Sequence, residues 1–191
     1  PKVYRSIGQL EFNKTDATGA SRRPADGASM TIAEGSGTAL TYIFDSDDSV
    51  TDAVRQISTV TIATTGDIDS GDSTTVTIAG TAVATTYGSG ETVATVAADI
   101  ATNINANATT GALVSATASA GVVTITAKVA GSTGFTIATS ESDADGDMTS
   151  TAATTTAAAG TDNTFKVDTS DSLTMAGDVT ALLTAIRASN P

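Results

Sequence analysis

Neither cysteine nor histidine occurs anywhere in this sequence. Their absence excludes disulfides and thiolate metal sites, and it removes the commonest general base and metal ligand, so Ser-His-Asp and Cys-His mechanisms are ruled out. Only oxygen chemistry is left. Tryptophan is missing too, and aromatics make up 4% of the chain, so the 40% hydrophobic content is largely Ala and Val. Modules built from such residues bury thin cores and gain stability from neighbours or oligomerisation. Cations are scarce: nine Lys and Arg face 21 Asp and Glu, a formal net charge of −12. That balance argues against nucleic-acid or anionic-membrane partners. No run approaches the roughly 18 apolar residues of a membrane span. The opening Pro-Lys-Val-Tyr-Arg has no signal-peptide core. A Pro at position 1 fits removal of an initiator Met, so the expectation is a near full-length, soluble product made in a cytoplasm.

What is present is organised around Thr74 to Ser140. Val76, Ile78 and Val83 alternate with Thr and Ala about Gly80, the period-2 pattern of a half-buried hairpin. Val93, Ala97, Ile100, Ala101 and Ile104 then form one apolar stripe at helical spacing. Ser89 is the expected cap, Glu91 sits in the expected first turn, and Asn105 and Asn107 end the helix. Leu113 to Ser119 and Val122 to Lys128 read as a second hairpin about Ala120-Gly121, and Phe135 to Ala138 as a closing strand. One helix across one small antiparallel sheet is the expected result.

Before this unit, residues 1–28 read as an extended N-terminal arm. Five of the nine cations, Lys2, Arg5, Lys14, Arg22 and Arg23, lie in the first 23 positions against Glu11 and Asp16. From Ser29 a hairpin is expected through Met30 and Ile32, the Gly35-Ser36-Gly37 turn, and Leu40, Tyr42 and Phe44, whose alternation marks core. Val54 to Ala63 reads as a strand. Near the C-terminus Phe165 and Val167 suggest a short strand, followed by a helix. Its Met175, Val179, Leu182, Leu183 and Ile186 repeat the central stripe 82 positions later, as copies of one design would.

The fold class expected is therefore α+β, mainly β, with small antiparallel sheets each packed by one helix in two related modules. Residues 29–56 plus 161–191 would form an outer module, 57–140 an inserted ββαββ module, and 141–160 a low-complexity loop. The rival is a linear pair of modules with the last cut short.

Three acidic clusters invite a calcium reading: Asp45, Asp47 and Asp48; Asp67, Asp69 and Asp72; and Asp143, Asp145 and Asp147 beside Gly146. None has the EF-hand register, and the last lacks the bidentate Glu. Solvated, metal-free turns are expected, where Asp is favoured by local hydrogen bonds. A glycosidase would need two acids facing each other beside aromatic platforms. Gly35-Ser36-Gly37 and Gly88-Ser89-Gly90 lack the full spacing and following Lys of a phosphate loop.

The central segment resembles a module that recurs in structural proteins of tailed bacteriophages, particularly tail and other virion components. The likeness rests on Val-Thr-Ile-Ala-Gly-Thr at Val76 to Thr81, Glu-Thr-Val-Ala-Thr-Val-Ala at Glu91 to Ala97, and Asn103-Ile104-Asn105. It continues through Ala120 to Lys128 into Gly131-Ser132-Thr133-Gly134, about a third of the chain in all. The resemblance implies a non-enzymatic building block of a virion, without catalytic residues or cofactor, that assembles with its own copies and with other virion proteins. The expected assembly contacts are Lys2, Arg5, Ile7, Leu10, Phe12, Arg22 and Arg23, docking on a neighbouring acidic body. The alternative is a calcium-dependent adhesin or matrix module of a bacterial surface.

Overall fold

A computed structural model describes residues 24–33, 39–169 and 175–189, with side chains in the last helix described for residues 180–187. The expected arm contacts Lys2, Arg5, Ile7, Leu10, Phe12, Arg22 and Arg23 lie outside the described residues, as does the Gly35-Ser36-Gly37 turn. The protein is mainly β, with small antiparallel sheets and a few helices. The described residues fall into two compact units, Thr51–Thr164 being one and those up to Val50 with those from Phe165 onward the other.

In the Thr51–Thr164 unit, β3 (Ile57–Thr64), β4 (Ser73–Ile78) and β5 (Thr81–Thr86) precede helix α1 (Val93–Ala106). A short α2 (Thr110–Leu113), β6 (Val114–Ser119), β7 (Val122–Ala127), β8 (Ile137–Ser142) and β9 (Met148–Thr156) follow. Both expected hairpins form, β4 with β5 and β6 with β7, in unbroken antiparallel register. Each turns on an Ala-Gly pair with both φ positive, 49° and 81° at Ala79-Gly80, and 48° and 85° at Ala120-Gly121. Two positive φ values make a type I′ turn, whose twist matches that of the strands it joins. At Gly121 a Cβ would crowd Val93 Cγ2 at 3.2 Å and Ile62 O at 3.3 Å, so only glycine fits without a shift.

The two hairpins do not share one sheet. One sheet has the order β5-β4-β8, the other β6-β7-β3-β9, and α1 packs against β5 as well as β6, β7 and β3. A single helix therefore serves two sheets, correcting the expectation of one helix per sheet. Val96, Ala97, Ile100, Ala101 and Ile104 of α1 are buried in one cluster with Val76, Ile78 and Val83 from one sheet and Val60, Ile62, Val123 and Ile125 from the other. Burial of a branched side chain such as Ile100 contributes about 1.5–3 kcal/mol.

Three local expectations shift. Thr92, not Ser89, caps α1 through a capping box with Thr95, and no acid occupies the first turn; Glu91 instead accepts the Gly88 N–H at 2.7 Å. The closing strand begins at Ile137 rather than Phe135, because the Phe135 backbone is taken by the Gln56 side chain. The loop expected at 141–160 contains β9, which pairs with β3 from Thr64↔Met148 to Ile57↔Thr156. Thr and Ala supply that strand; Thr favours a pleated surface, but inward Ser150 and Ala152 are too small to show an apolar period.

In the other unit, β1 (Ser29–Ile32), β2 (Leu40–Asp45) and β10 (Thr164–Asp168, its first residue in the neighbouring unit) form a sheet ordered β1-β2-β10. Tyr42 and Phe44 are buried, as their alternation predicted, and the Tyr42 and Phe165 ring centroids lie 5.9 Å apart. Helix α3 spans Met175–Ser189. Its Leu182 is buried, but Leu183 is 47% exposed, whereas Ala101, its counterpart in α1, is buried. The two stripes therefore differ at that position.

Candidate functional site

The acidic turns are built by their own backbones. Asp45, buried at the end of β2, accepts N–H bonds from Asp47 at 3.3 Å, Ser49 at 3.2 Å and Val50 at 3.1 Å. Burial pushes its pKa up, but the donors at Val50, Ser49 and Asp47 outweigh burial and hold it below the ordinary value. Asp26 accepts from the Ser46 N–H and hydroxyl, and Asp48 pairs with Lys166. Asp26, Asp45 and Asp47 each bring a carboxylate oxygen within 4.8 Å of the others.

The second and third sequence clusters converge. Asp72, ahead of β4, and Asp143 and Asp145, in the β8–β9 turn, bring carboxylate oxygens within 4.8 Å of one another. Much of that donor set is already engaged: Asp72 Oδ2 accepts the Asp69 N–H at 2.8 Å, and Asp143 Oδ2 accepts the Met148 N–H at 2.7 Å. The bond from Met148, aided by Asp145, lowers the Asp143 pKa. Sharing a hydrogen bond with Asp143 raises that of Asp145. Asp147 is raised by burial and then by the charges of Asp143, Asp72, Asp69 and Asp67. Three carboxylates supply hard oxygen donors for a divalent cation, but calcium takes 6–8 oxygens, so most of its shell would have to be water or backbone. The acids lie in turns, bonded to backbone N–H groups, and not as a facing pair that works across a substrate.

A different surface stands out in so acidic a chain. The outward rows of the β6-β7-β3-β9 sheet, read from its register, place Thr117, Thr124, Thr59 and Ala153 side by side, and Ser119, Val122, Thr61 and Thr151 beside them. The remaining outward positions, Ser115, Thr126, Ile57, Thr156, Ala63 and Thr149, also carry no charge. None of its four strands contains a charged residue. The sequence signal for this face was the Thr alternation itself, whose β9 portion looked like low-complexity loop.

Two side-chain amides also escaped sequence reasoning. Asn105 of α1 donates to Ala116 O at 2.8 Å and accepts from Ala116 N at 2.9 Å. Gln56, buried, donates to Phe135 O at 2.7 Å and accepts from Phe135 N at 2.8 Å. Each imitates one rung of a strand ladder. Among the described residues no helix is long and apolar enough to cross a membrane. A scan against protein-family models found no match, and a search of curated proteins found no similar sequence.

Proposed function

We propose that this chain is a non-enzymatic structural protein of a tailed-bacteriophage virion, a tail component or a capsid decoration protein, acting by self-assembly. The observation that carries the reading is the uncharged outer face of the β6-β7-β3-β9 sheet. On a chain of net charge −12, it is a surface where identical copies meet without like charges opposed, a juxtaposition that costs several kcal/mol. The resemblance at Val76 to Thr81 and Ala120 to Lys128 supports the same reading. Its partners are copies of itself and other virion proteins; nucleic acid is disfavoured by the acidic charge. Synthesis takes place in the host cytoplasm and the working location is the virion. Lys2, Arg5, Ile7, Leu10, Phe12, Arg22 and Arg23 supply a second contact, with charge guiding encounter and the apolar residues holding it.

The test is light scattering and electron microscopy of the purified full chain over a concentration series, with and without a chelator. Ordered assemblies indifferent to the chelator, and weakened by Thr124→Glu on the uncharged face, are expected. A chain that stays monomeric up to its solubility limit would sink the proposal. The convergence of Asp72, Asp143 and Asp145 favours one second reading, a calcium-dependent surface adhesin, for which a monomer whose compactness depends on calcium is the expected result.

A further inference from the structure

The sheets differ in how their edges end. Edge strand β6 has the N–H and C=O of Ala116 occupied by Asn105. Edge strand β1 has no such cover among the described residues: it is last in the order β1-β2-β10. Its four residues, Ser29-Met30-Thr31-Ile32, pair with β2 without a register shift and contain neither Lys nor Pro, the usual protections of an open edge. Ile32 is 39% exposed. Phe44 N donates to Ala28 O, and hydrogen-bonded positions alternate along an antiparallel pair. Met30 and Ile32 therefore face β2, while Ser29 and Thr31 present their N–H and C=O groups outward.

We propose that this outer edge of β1 accepts the N-terminal arm of a second copy as an added strand, an inference that rests on the self-assembly reading. Charge selects the occupant. On the strands of this sheet and the residues joined to them lie Asp26, Asp45, Asp47, Asp48 and Asp168, against Lys166, and Lys166 is already paired with Asp48. Residues 1–23 carry five cations against two acids. Length allows the reach: residues 13–23, fully extended, span up to about 36–40 Å between the apolar positions of the arm and Pro24. Val3, Arg5 and Ile7 stand two apart, so an extended arm sets all three on one face and Tyr4 on the other. The chain also enters β1 already engaged with the β2 side, through Gly27 N to Phe44 O and the Asp26 carboxylate on Ser46. An arm would have to reverse to lie beside its own β1, whereas a neighbour's arm arrives without that reversal.

Thr31→Pro removes an outward N–H and leaves the β2 ladder intact, since proline is accepted on edge strands where the N–H faces away. The full chain carrying it should keep its circular dichroism and melting profile while assembling at least about tenfold more weakly, and adding Ile7→Asp should weaken assembly no further. The chain lacks cysteine, so the pair Arg5→Cys and Thr31→Cys, placed on separately tagged copies, should give disulfides between the tags. Normal assembly by Thr31→Pro, or no disulfide between the tagged copies while a single copy carrying both cysteines crosslinks within itself, would overturn this inference while the self-assembly reading stands. A wild-type chain that never assembles would overturn both.

Discussion

Asn105 closes the open edge of β6 by bonding both backbone groups of Ala116, at 2.8 and 2.9 Å. A helix side chain thus does the work of a missing neighbour strand. Asn105→Ala leaves an N–H and a C=O without partners at a largely covered position, which costs about 1–3 kcal/mol. Chemical denaturation should show that loss at unchanged m-value. The same variant should aggregate faster, because an uncovered edge is a template for pairing. Loss of stability below about 0.5 kcal/mol would mean that water replaces the amide at no cost.

Both hairpin turns place an alanine in left-handed backbone, Ala79 at φ 49° and Ala120 at φ 48°. For an L-residue with a Cβ that conformation costs about 1–2 kcal/mol, and asparagine tolerates it better through local hydrogen bonds. Ala79→Asn and Ala120→Asn are therefore each expected to raise stability by about 0.5–1 kcal/mol, additively, since the turns belong to separate sheets. Melting temperatures of the two single variants and the double variant check this.

These turns also mark what was legible in the sequence. Ala-Gly between alternating Val and Ile gave both hairpins, and the stripe from Val93 to Ile104 gave α1, because short-range pattern determines those elements. β9 stayed hidden: apart from Met148, its inward side chains are too small to print a period, and its place is set by pairing with β3. The meeting of Asp72 with Asp143 and Asp145 is a consequence of topology, so each loop read alone missed it. The single helix between two sheets was missed for the same reason. Local spacing cannot say which sheet a hairpin will join.

Burial separates the α3 residues that the repeat treated alike. Ile100 and Leu182 are 1% and 2% exposed, whereas Leu183 is 47% exposed. Ile100→Ala and Leu182→Ala should each cost about 2–5 kcal/mol, and Leu183→Ala less than about 0.5 kcal/mol. Equal losses at Leu182 and Leu183 would show that α3 is rotated from the orientation described.

The acidic turns predict opposite responses to neutralisation. Asp45 has a folded pKa below the ordinary 3.8, through its backbone donors. It therefore adds stability above the usual carboxylate range, and that contribution fades as pH falls through the folded value. Asp147 is raised, first by burial and then by neighbouring carboxylates, so its charge opposes folding near neutrality and protonation on acidification relieves it. Near neutral pH, Asp45→Asn should lower the melting temperature and Asp147→Asn raise it. Once both carboxyls are protonated, the charge-dependent part of each difference should vanish. Calcium titration should show no saturable binding below about millimolar, and stoichiometric heat abolished by Asp145→Ala would move the functional reading toward adhesion.

Deletion of residues 1–12 tests whether the arm belongs to the fold or to the assembly. The segment removes Lys2 and Arg5 together with Ile7, Leu10 and Phe12, so it takes away both the steering charge and the apolar anchor. Exposed ion pairs contribute only about 0–1 kcal/mol each, so the apolar residues should account for most of the lost affinity. The shortened chain should melt as the full chain does and sediment as a monomer. Raising salt should slow assembly of the intact chain by screening the encounter, and change its dissociation less, because charge acts mainly on association. Removing Ile7, Leu10 and Phe12 as alanines, with the cations kept, should reproduce the deletion. A shortened chain that unfolds would place the arm within its own core, and one that assembles with normal affinity would assign cohesion to the uncharged sheet face alone.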